Sequence, residues 1–302
     1  MKTILKWVGI VLGALVGLLV IAAIAVYALS EAKINAKYDA PTVNNITAST
    51  DPAVIARGQH LATAISACVG CHGENLGGGI LIDDPALARI VAPNLTQGQN
   101  GRGSELSDAD MARVLRYGVK PDGTSVKIMP ADDYTHLTDT DLIAVISWVR
   151  SLPPVDSNLP PHEFRPVGRL LTALNQLDIY VAARFDPNVP RLEPAEAVSV
   201  EYGNYLANIA GCTGCHGPGL SGGLIPGAPP DWPPAANITV AGAINGWSEA
   251  DFFHTLRTGV DPSGHQLVSE MPYEQYANMT DDELKAIWAF LQSMPPKEFG
   301  NR

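Results

Sequence analysis

Residues 58–79 read GQHLATAISACVGCHGENLGGG, and residues 203–223 read GNYLANIAGCTGCHGPGLSGG. The second stretch is the first written again, one residue shorter ahead of its first cysteine. The match continues outward. Residues 92–96 (APNLT) return as 235–239 (AANIT), 106–123 (LSDADMARVLRYGVKPDG) as 247–264 (WSEADFFHTLRTGVDPSG), and 137–154 (LTDTDLIAVISWVRSLPP) as 279–296 (MTDDELKAIWAFLQSMPP). The offset between copies stays between 140 and 145 residues. Self-similarity of this length predicts two homologous domains, at 51–154 and 197–296, and 302 residues are enough for both.

Each copy reads as helical. Asp51-Pro52 supplies an N-cap and a first-turn proline for a helix running toward Cys68. Ser107 and Ser248 are placed to cap a second helix that closes near Gly118 and Gly259. Thr280-x-x-Glu283 has the form of a capping box, and Thr138-x-x-Asp141 is a weaker version. The helices that follow set Leu142, Val145, Ile146 and Val149, and equally Leu284, Ile287, Trp288 and Leu291, on one core-facing stripe. Pro153 and Pro295 stop them. No convincing strand pairing is visible, and the predicted class is all-α.

The four cysteines fall as Cys68, Cys71, Cys212 and Cys215, each pair followed by a histidine, His72 and His216. On a helical turn, positions i, i+3 and i+4 share a face. Two thiols there can add to the two vinyl groups of one haem while the histidine sits beneath the iron; C-x-x-C-H is the attachment signature of a c-type haem. A thioredoxin-like pair needs no histidine and expects a βαβ setting. A four-cysteine zinc site brings its pairs within roughly 15–20 residues, whereas Cys71 and Cys212 are 141 apart. The expected cofactors are two covalently attached haem c groups.

The repeat also selects the distal ligands. Methionine and histidine are candidates for the sixth position, and no cysteine is left over. Met129 aligns with Met271, each followed by proline, whereas Met111, Met279 and Met294 align with Phe252, Leu137 and Leu152. His136, His254 and His265 have no histidine at the matching position. Met129 and Met271 are therefore the predicted partners of His72 and His216. Arg116 and Arg257 are equivalent, with haem propionates and ordinary structural pairing as equal alternatives. Asn94 and Asn237 are also equivalent and suit either a turn cap or a haem contact.

Outside the repeats, Val8 to Leu29 carries no charge. These 22 residues make a helix of about 33 Å, enough to cross a bilayer. Lys2 and Lys6 precede it, which keeps the N-terminus cytoplasmic and sends the rest outside. A cleaved leader has a shorter apolar core of roughly 7–15 residues, so residues 1–30 are read as a retained transmembrane anchor and 31–50 as a polar tether. Residues 155–196 form a linker able to pack on a domain, with a helix expected between Arg169 and Phe185; 297–302 are a C-terminal tail. The net charge is −11 and becomes −13 without the two anchor lysines. That disfavours nucleic acid and anionic surfaces as partners; steering of basic partners and plain solubility are equal readings of it.

On Cys68-x-x-Cys71-His72, Met129-Pro130 and the Trp148 helix, and on Cys212-x-x-Cys215-His216, Met271-Pro272 and the Trp288 helix, the chain resembles the class I c-type cytochromes. It is most similar to membrane-anchored multi-haem bacterial cytochromes that accept electrons from periplasmic dehydrogenases. The resemblance implies two tandem domains behind a single N-terminal transmembrane helix. Each domain would wrap one haem, its first and last helices crossing. The family often has proline where a backbone carbonyl holds the proximal histidine; Pro93 stands there, aligned with Ala236. Some dehydrogenase-associated members carry three haems, and this chain has motifs for two. The implied role is electron transfer at the periplasmic face of the bacterial inner membrane. The electrons would pass from a quinol-oxidising complex or dehydrogenase to a downstream cytochrome or oxidase, without catalysis by the chain itself. The competing reading, a dihaem redox enzyme such as a peroxidase, needs one labile distal ligand, against which the matched Met-Pro pairs weigh.

Overall fold

The computed structural model describes residues 1–301 apart from 178, 187, 188, 190 and 229–231. Four of those lie in the expected 155–196 linker, and Arg302 of the tail is also outside the described residues. Helix α1, Lys2–Ile34, is one continuous rod, and none of its apolar window is covered by the rest of the chain.

In the first repeat the chain runs through α2 (Pro52–His60), a π-helical turn (Leu61–Ile65), α3 (Cys68–His72), α4 (Asp108–Tyr117), α5 (Ala131–Tyr134) and α6 (Asp139–Ser151). The second repeats this as α8 (Val200–Ile209), α9 (Cys212–His216), α10 (Glu249–Thr258), α11 (Tyr273–Tyr276) and α12 (Asp281–Ser293). The caps fall where the sequence places them. Asp51 accepts from the Ala53 N–H ahead of Pro52, and Ser107, Ser248 and Thr280 close full capping boxes. Gly118 and Gly259 end α4 and α10 in the left-handed conformation that glycine adopts at least cost.

The first and last helices of each repeat cross at a glycine. A Cβ on Gly58 would sit 1.8 Å from the Ala144 carbonyl oxygen, and one on Gly203 would sit 1.9 Å from that of Ala286. No side chain fits there, so α2 lies directly on α6, and α8 on α12. The extra residue of the first repeat falls between this crossing and Cys68. It is absorbed by the π-helical turn, where the Ser66 N–H donates to the Leu61 carbonyl five residues back. Both the crossing and the cysteine turn thereby keep their places.

The all-α expectation fails locally. Strands β1 (Gly79–Asp84) and β2 (Ala88–Ala92) form an antiparallel hairpin, and β3 (Glu163–Phe164) adds to its edge. Ile80, Leu81, Ile82, Ile90 and Val91 favour extended pairing. The matching stretch of the second repeat carries Pro226, Pro229, Pro230, Pro233 and Pro234, which lack the N–H a ladder needs. Among its described residues it makes one isolated bridge, Gly223 to Ala235.

Two other segments depart from expectation. The linker helix is α7, Pro166–Ala173, rather than a helix from Arg169 to Phe185. It begins on the first-turn proline and stops before Asn175, whose φ of 58° cannot continue a helix. Residues 31–50 do not hang free as a tether. Helix α1 continues to Ile34, Val43 and Ile46 are buried, and the N–H groups of Tyr38, Ala48 and Ser49 donate to Gly123, Asp108 and Ser147 of the first repeat.

One hydrophobic core runs through both repeats, from Leu61 and Leu142 to Leu206 and Leu284. The polar contacts across it are reciprocal. Tyr205 of the second repeat donates to Asp141 of the first at 2.6 Å, and His60 of the first meets Glu283 of the second at 2.8 Å. Asp141 and Glu283 occupy the same position in α6 and α12, three residues past their N-caps. Arg57 grips Asp141 with two bonds of 3.0 Å and reaches Tyr202 at 3.2 Å. Asp141 is thus drawn into the interface and does not close the capping box that Glu283 closes.

Candidate functional site

The C-x-x-C-H residues form one helical turn in each repeat, so both thiols and the imidazole share a face. Each turn is entered through a left-handed residue, Ala67 (φ 47°) or Gly211 (φ 77°), and left through Gly73 or Gly217. None of the four cysteines is in a disulfide. Burial pushes the thiols of Cys68 and Cys212 up to about 12, with the Asp133 charge adding to the effect at Cys212. Burial also raises Cys71.

Both histidines are buried. His72 Nδ1 donates to the Pro93 carbonyl at 2.9 Å, and His216 Nδ1 donates to the Ala236 carbonyl at 2.7 Å. A carbonyl can only accept, so the proton is fixed on Nδ1 and the lone pair on Nε2, the form in which imidazole binds a metal. Proline is not required for this, since the alanine carbonyl serves equally. Burial lowers the His72 pKa and outweighs the opposing bond to Pro93, which keeps the ring neutral.

The loops bearing those carbonyls are clamped identically. Asn94 Oδ1 accepts from the Thr96 N–H and hydroxyl, both at 2.8 Å, and its Nδ2 donates to Val155. Asn237 does the same with Thr239 at 2.9 and 2.8 Å, and donates to Lys297. These asparagines cap turns, the first of the two roles open to them. From the other side, the Gly78 and Gly222 N–H groups donate to the His72 and His216 carbonyls at 2.8 Å.

Met129-Pro130 and Met271-Pro272 have the same backbone. Pro130 (φ −79°, ψ 63°) and Pro272 (φ −78°, ψ 51°) are centres of inverse γ-turns. The next N–H in each donates back to the methionine carbonyl, at 2.8 and 2.7 Å. Proline fixes the φ this turn requires, which gives the shared Met-Pro a physical reason. Both methionines are half-buried against the shared core.

Tyr134 and Tyr276, five residues past each methionine, escape a reading of the motifs alone. Both are buried; Tyr134 donates to the Ser66 carbonyl at 2.8 Å and Tyr276 to that of Ala210. Each therefore ties the methionine loop to the residue two positions ahead of its own C-x-x-C-H turn. The spacing M-P-x-x-x-Y occurs in both copies and is the signal that marks them. Each methionine loop also leans on the other repeat: α5 packs on α9 and α11 on the π-helical turn. Asp133 of α5 would lie 3.0 Å from a Cβ on Gly211, and burial beside Asp132 raises its carboxyl to about 7.

Arg116 and Arg257 take the structural role. Arg116 donates to Leu137 and Asp139, and Arg257 to Ala277 and Asp281, which binds α4 to α6 and α10 to α12. Arg116 is 2% exposed and its Nε has no acceptor. A haem fits these residues. Each repeat presents two thiols and a tautomer-locked imidazole on one face, and a thioether on the loop that the tyrosine ties to it.

The family model for cytochrome c matches residues 55–153 and 200–295. The fructose dehydrogenase cytochrome subunit of Gluconobacter japonicus is 28% identical over 268 residues, covering 80% of this chain and 53% of the relative. The cytochrome c subunit of the quinone alcohol dehydrogenase of Gluconacetobacter polyoxogenes is 27% identical over 289 residues, with 83% and 58% covered. A diheme cytochrome c-type protein of Cereibacter sphaeroides is 25% identical over 264 residues, with 80% and 86% covered. The chain thus spans about half the length of the two dehydrogenase subunits.

Proposed function

The chain belongs to the cytochrome c family, and from that premise we propose that it is a membrane-anchored dihaem electron carrier serving a periplasmic dehydrogenase or quinol-oxidising complex. The observation that carries this reading is the twofold occurrence of one assembly. In each repeat a cysteine pair and a carbonyl-oriented histidine lie on a turn that a buried tyrosine ties to a Met-Pro loop.

In this reading Cys68 and Cys71 hold one haem and Cys212 and Cys215 the other, through thioether bonds. His72 with Met129, and His216 with Met271, would ligate the two irons. Each attached haem supplies a one-electron iron couple. The protein's part is to keep both axial groups in place in both oxidation states. The Pro93 and Ala236 carbonyls stop the imidazoles from turning, and the two tyrosines restrain the methionine loops. A methionine paired with each histidine would raise the iron potential and leave no open position for a substrate. The reciprocal bonds between repeats would hold the two haem sites in one unit.

The relatives named as dehydrogenase cytochrome subunits support a dehydrogenase as donor; a downstream cytochrome or oxidase completes the chain of transfer. Helix α1 supports placement on the outer face of the inner membrane, with its apolar window uncovered and two lysines before it. The test is the visible spectrum of the dithionite-reduced, haem-loaded protein before and after carbon monoxide. Wild type shows no shift, and Met129→Ala and Met271→Ala each create one carbon monoxide-binding haem. Ready binding by wild type would overturn the carrier reading.

A further inference from the structure

Helix α7, in the segment that joins the repeats, has two unlike faces. At 100° per residue, Gly168, Arg169, Thr172 and Ala173 share one side, and Val167, Leu170, Leu171 and Leu174 the other. The first side is fixed to the protein. A Cβ on Gly168 would meet the Leu87 carbonyl oxygen at 2.0 Å, and Thr172 is 1% exposed. The second side is open, with Val167, Leu170 and Leu174 at 44%, 42% and 58% exposure.

The neighbour of α7 is the outer end of α1. Arg169 donates to Ser30 at 3.0 Å and to Glu31 at 2.8 Å, and its guanidinium lies 4.4 Å from the centre of the Tyr27 ring. In return Lys33 Nζ donates to the Thr172 and Ala173 carbonyls that end α7. These contacts set the level of α7 along α1. Trp7 and Tyr27, both exposed, bracket the apolar stretch. Twenty residues of helix separate them by about 30 Å, the thickness of a bilayer core, and tryptophan and tyrosine favour the two interfaces. With Tyr27 at the outer interface, α7 lies at headgroup level.

We propose that α7 is a second, interfacial membrane contact, its Val167–Leu170–Leu174 stripe seated among the outer-leaflet lipids beside the point where α1 emerges. The inference rests on α1 being a retained anchor. A short helix that is apolar on one side and docked on the other is built to lie in the interface plane. The lipid is the occupant favoured because α7 is docked at the level where the uncovered apolar window of α1 ends. Its consequence is orientation. A lone helix would let the domains swivel, whereas a second contact fixes which face of the first repeat points at the membrane.

The test uses the full-length, haem-loaded chain in vesicles of phosphatidylethanolamine and phosphatidylglycerol with clickable acyl chains. Benzoylphenylalanine replaces one residue at a time: Leu170, Leu174, Leu19 of α1, or the exposed Phe299 of the C-terminal tail. An unchanged visible spectrum verifies folding of each. Lipid adducts at Leu170 and Leu174 comparable with those at Leu19, and none at Phe299, are expected. Adducts at Leu19 without any at Leu170 and Leu174 overturn the α7 proposal and leave the anchor standing. Adducts to protein at Leu170, or equal lipid capture at Phe299, also overturn it. Failure at Leu19 removes the anchor and the proposal together.

Discussion

Replacing Gly58 by alanine tests the helix crossing that frames the first haem site. The new Cβ would lie 1.8 Å from the Ala144 oxygen, 2.3 Å from its carbonyl carbon and 2.9 Å from the Val145 nitrogen, all backbone atoms that cannot swing aside. Ordinary contact begins at 3.4 Å, so α2 and α6 must part by about 1.6 Å, and a gap of even 0.5–1 Å forfeits a quarter to a half of each dispersion contact across it. Overpacking costs about 1–3 kcal/mol, and a separation this large belongs at the top of that range. The better helix propensity of alanine offsets about 1 kcal/mol. Because the two repeats share one core, a net loss of about 2 kcal/mol is spread over a unit of roughly twice a single domain's size and lowers Tm by about 4–8 °C. Calorimetry of the haem-loaded protein measures it. Gly203→Ala should cost a similar amount, since the Ala286 oxygen, its carbonyl carbon and the Phe290 Cβ lie 1.9, 2.5 and 2.9 Å away. Gly70→Ala, in the C-x-x-C-H turn with nothing within 4 Å, should leave Tm unchanged or slightly raised. A Gly58→Ala protein that melts with wild type would refute the close crossing.

Replacing Cys212 and Cys215 together by alanine should leave a chain that keeps one haem through denaturation, as intact mass will report; retention of two would break the assignment. Tyr205→Phe removes a bond to a charged carboxylate, worth about 1.5–3 kcal/mol. Combined with His60→Ala its effect should be non-additive, since Arg57 touches both carboxylates; strict additivity in chemical denaturation would show the two contacts to be independent. At Glu283, burial works to raise the pKa, but the bonds from His60 and the Thr280 N–H with the charge of Arg57 outweigh it, and the net shift is downward. A depressed carboxylate contributes stability that is present above its unfolded value near 4.5 and is lost as pH falls through the folded value. Glu283→Gln should therefore be the less stable protein at pH 6–7 and should converge with wild type in strong acid. A constant difference at all pH values would remove the linkage.

Much of this was legible because the sequence states its case twice. The caps at Ser107, Ser248 and Thr280, the core stripes and the two cysteine turns depend on local chemistry that spacing reveals. The hairpin at 79–92 was hidden because its strands are short and their alternation is broken by a register shift between Ile80 and Ile82. The arginines were undecidable from spacing, since Asp139 and Asp281 reach them only once α6 and α12 are packed. The asparagine clamps and the buried tyrosines acquire meaning only when loops distant in sequence meet. Nothing in the composition of 37–50 separates a free polar strap from one held by hydrogen bonds to a neighbouring surface.

The exchange of carboxylates between repeats has a further meaning. When residue i of one half meets j of the other, and the counterpart of j meets the counterpart of i, the contact is that of an isologous dimer with a two-fold axis. This chain holds that geometry inside a single polypeptide. Identical subunits must mutate both sides of such an axis at once, whereas a fused pair can change one side alone. Here one side has Arg57 and His60 where the other has Tyr202 and Tyr205. The flank bearing Arg57 therefore carries a fixed positive charge where its counterpart carries a phenol, and the two repeats differ in their electrostatic surroundings.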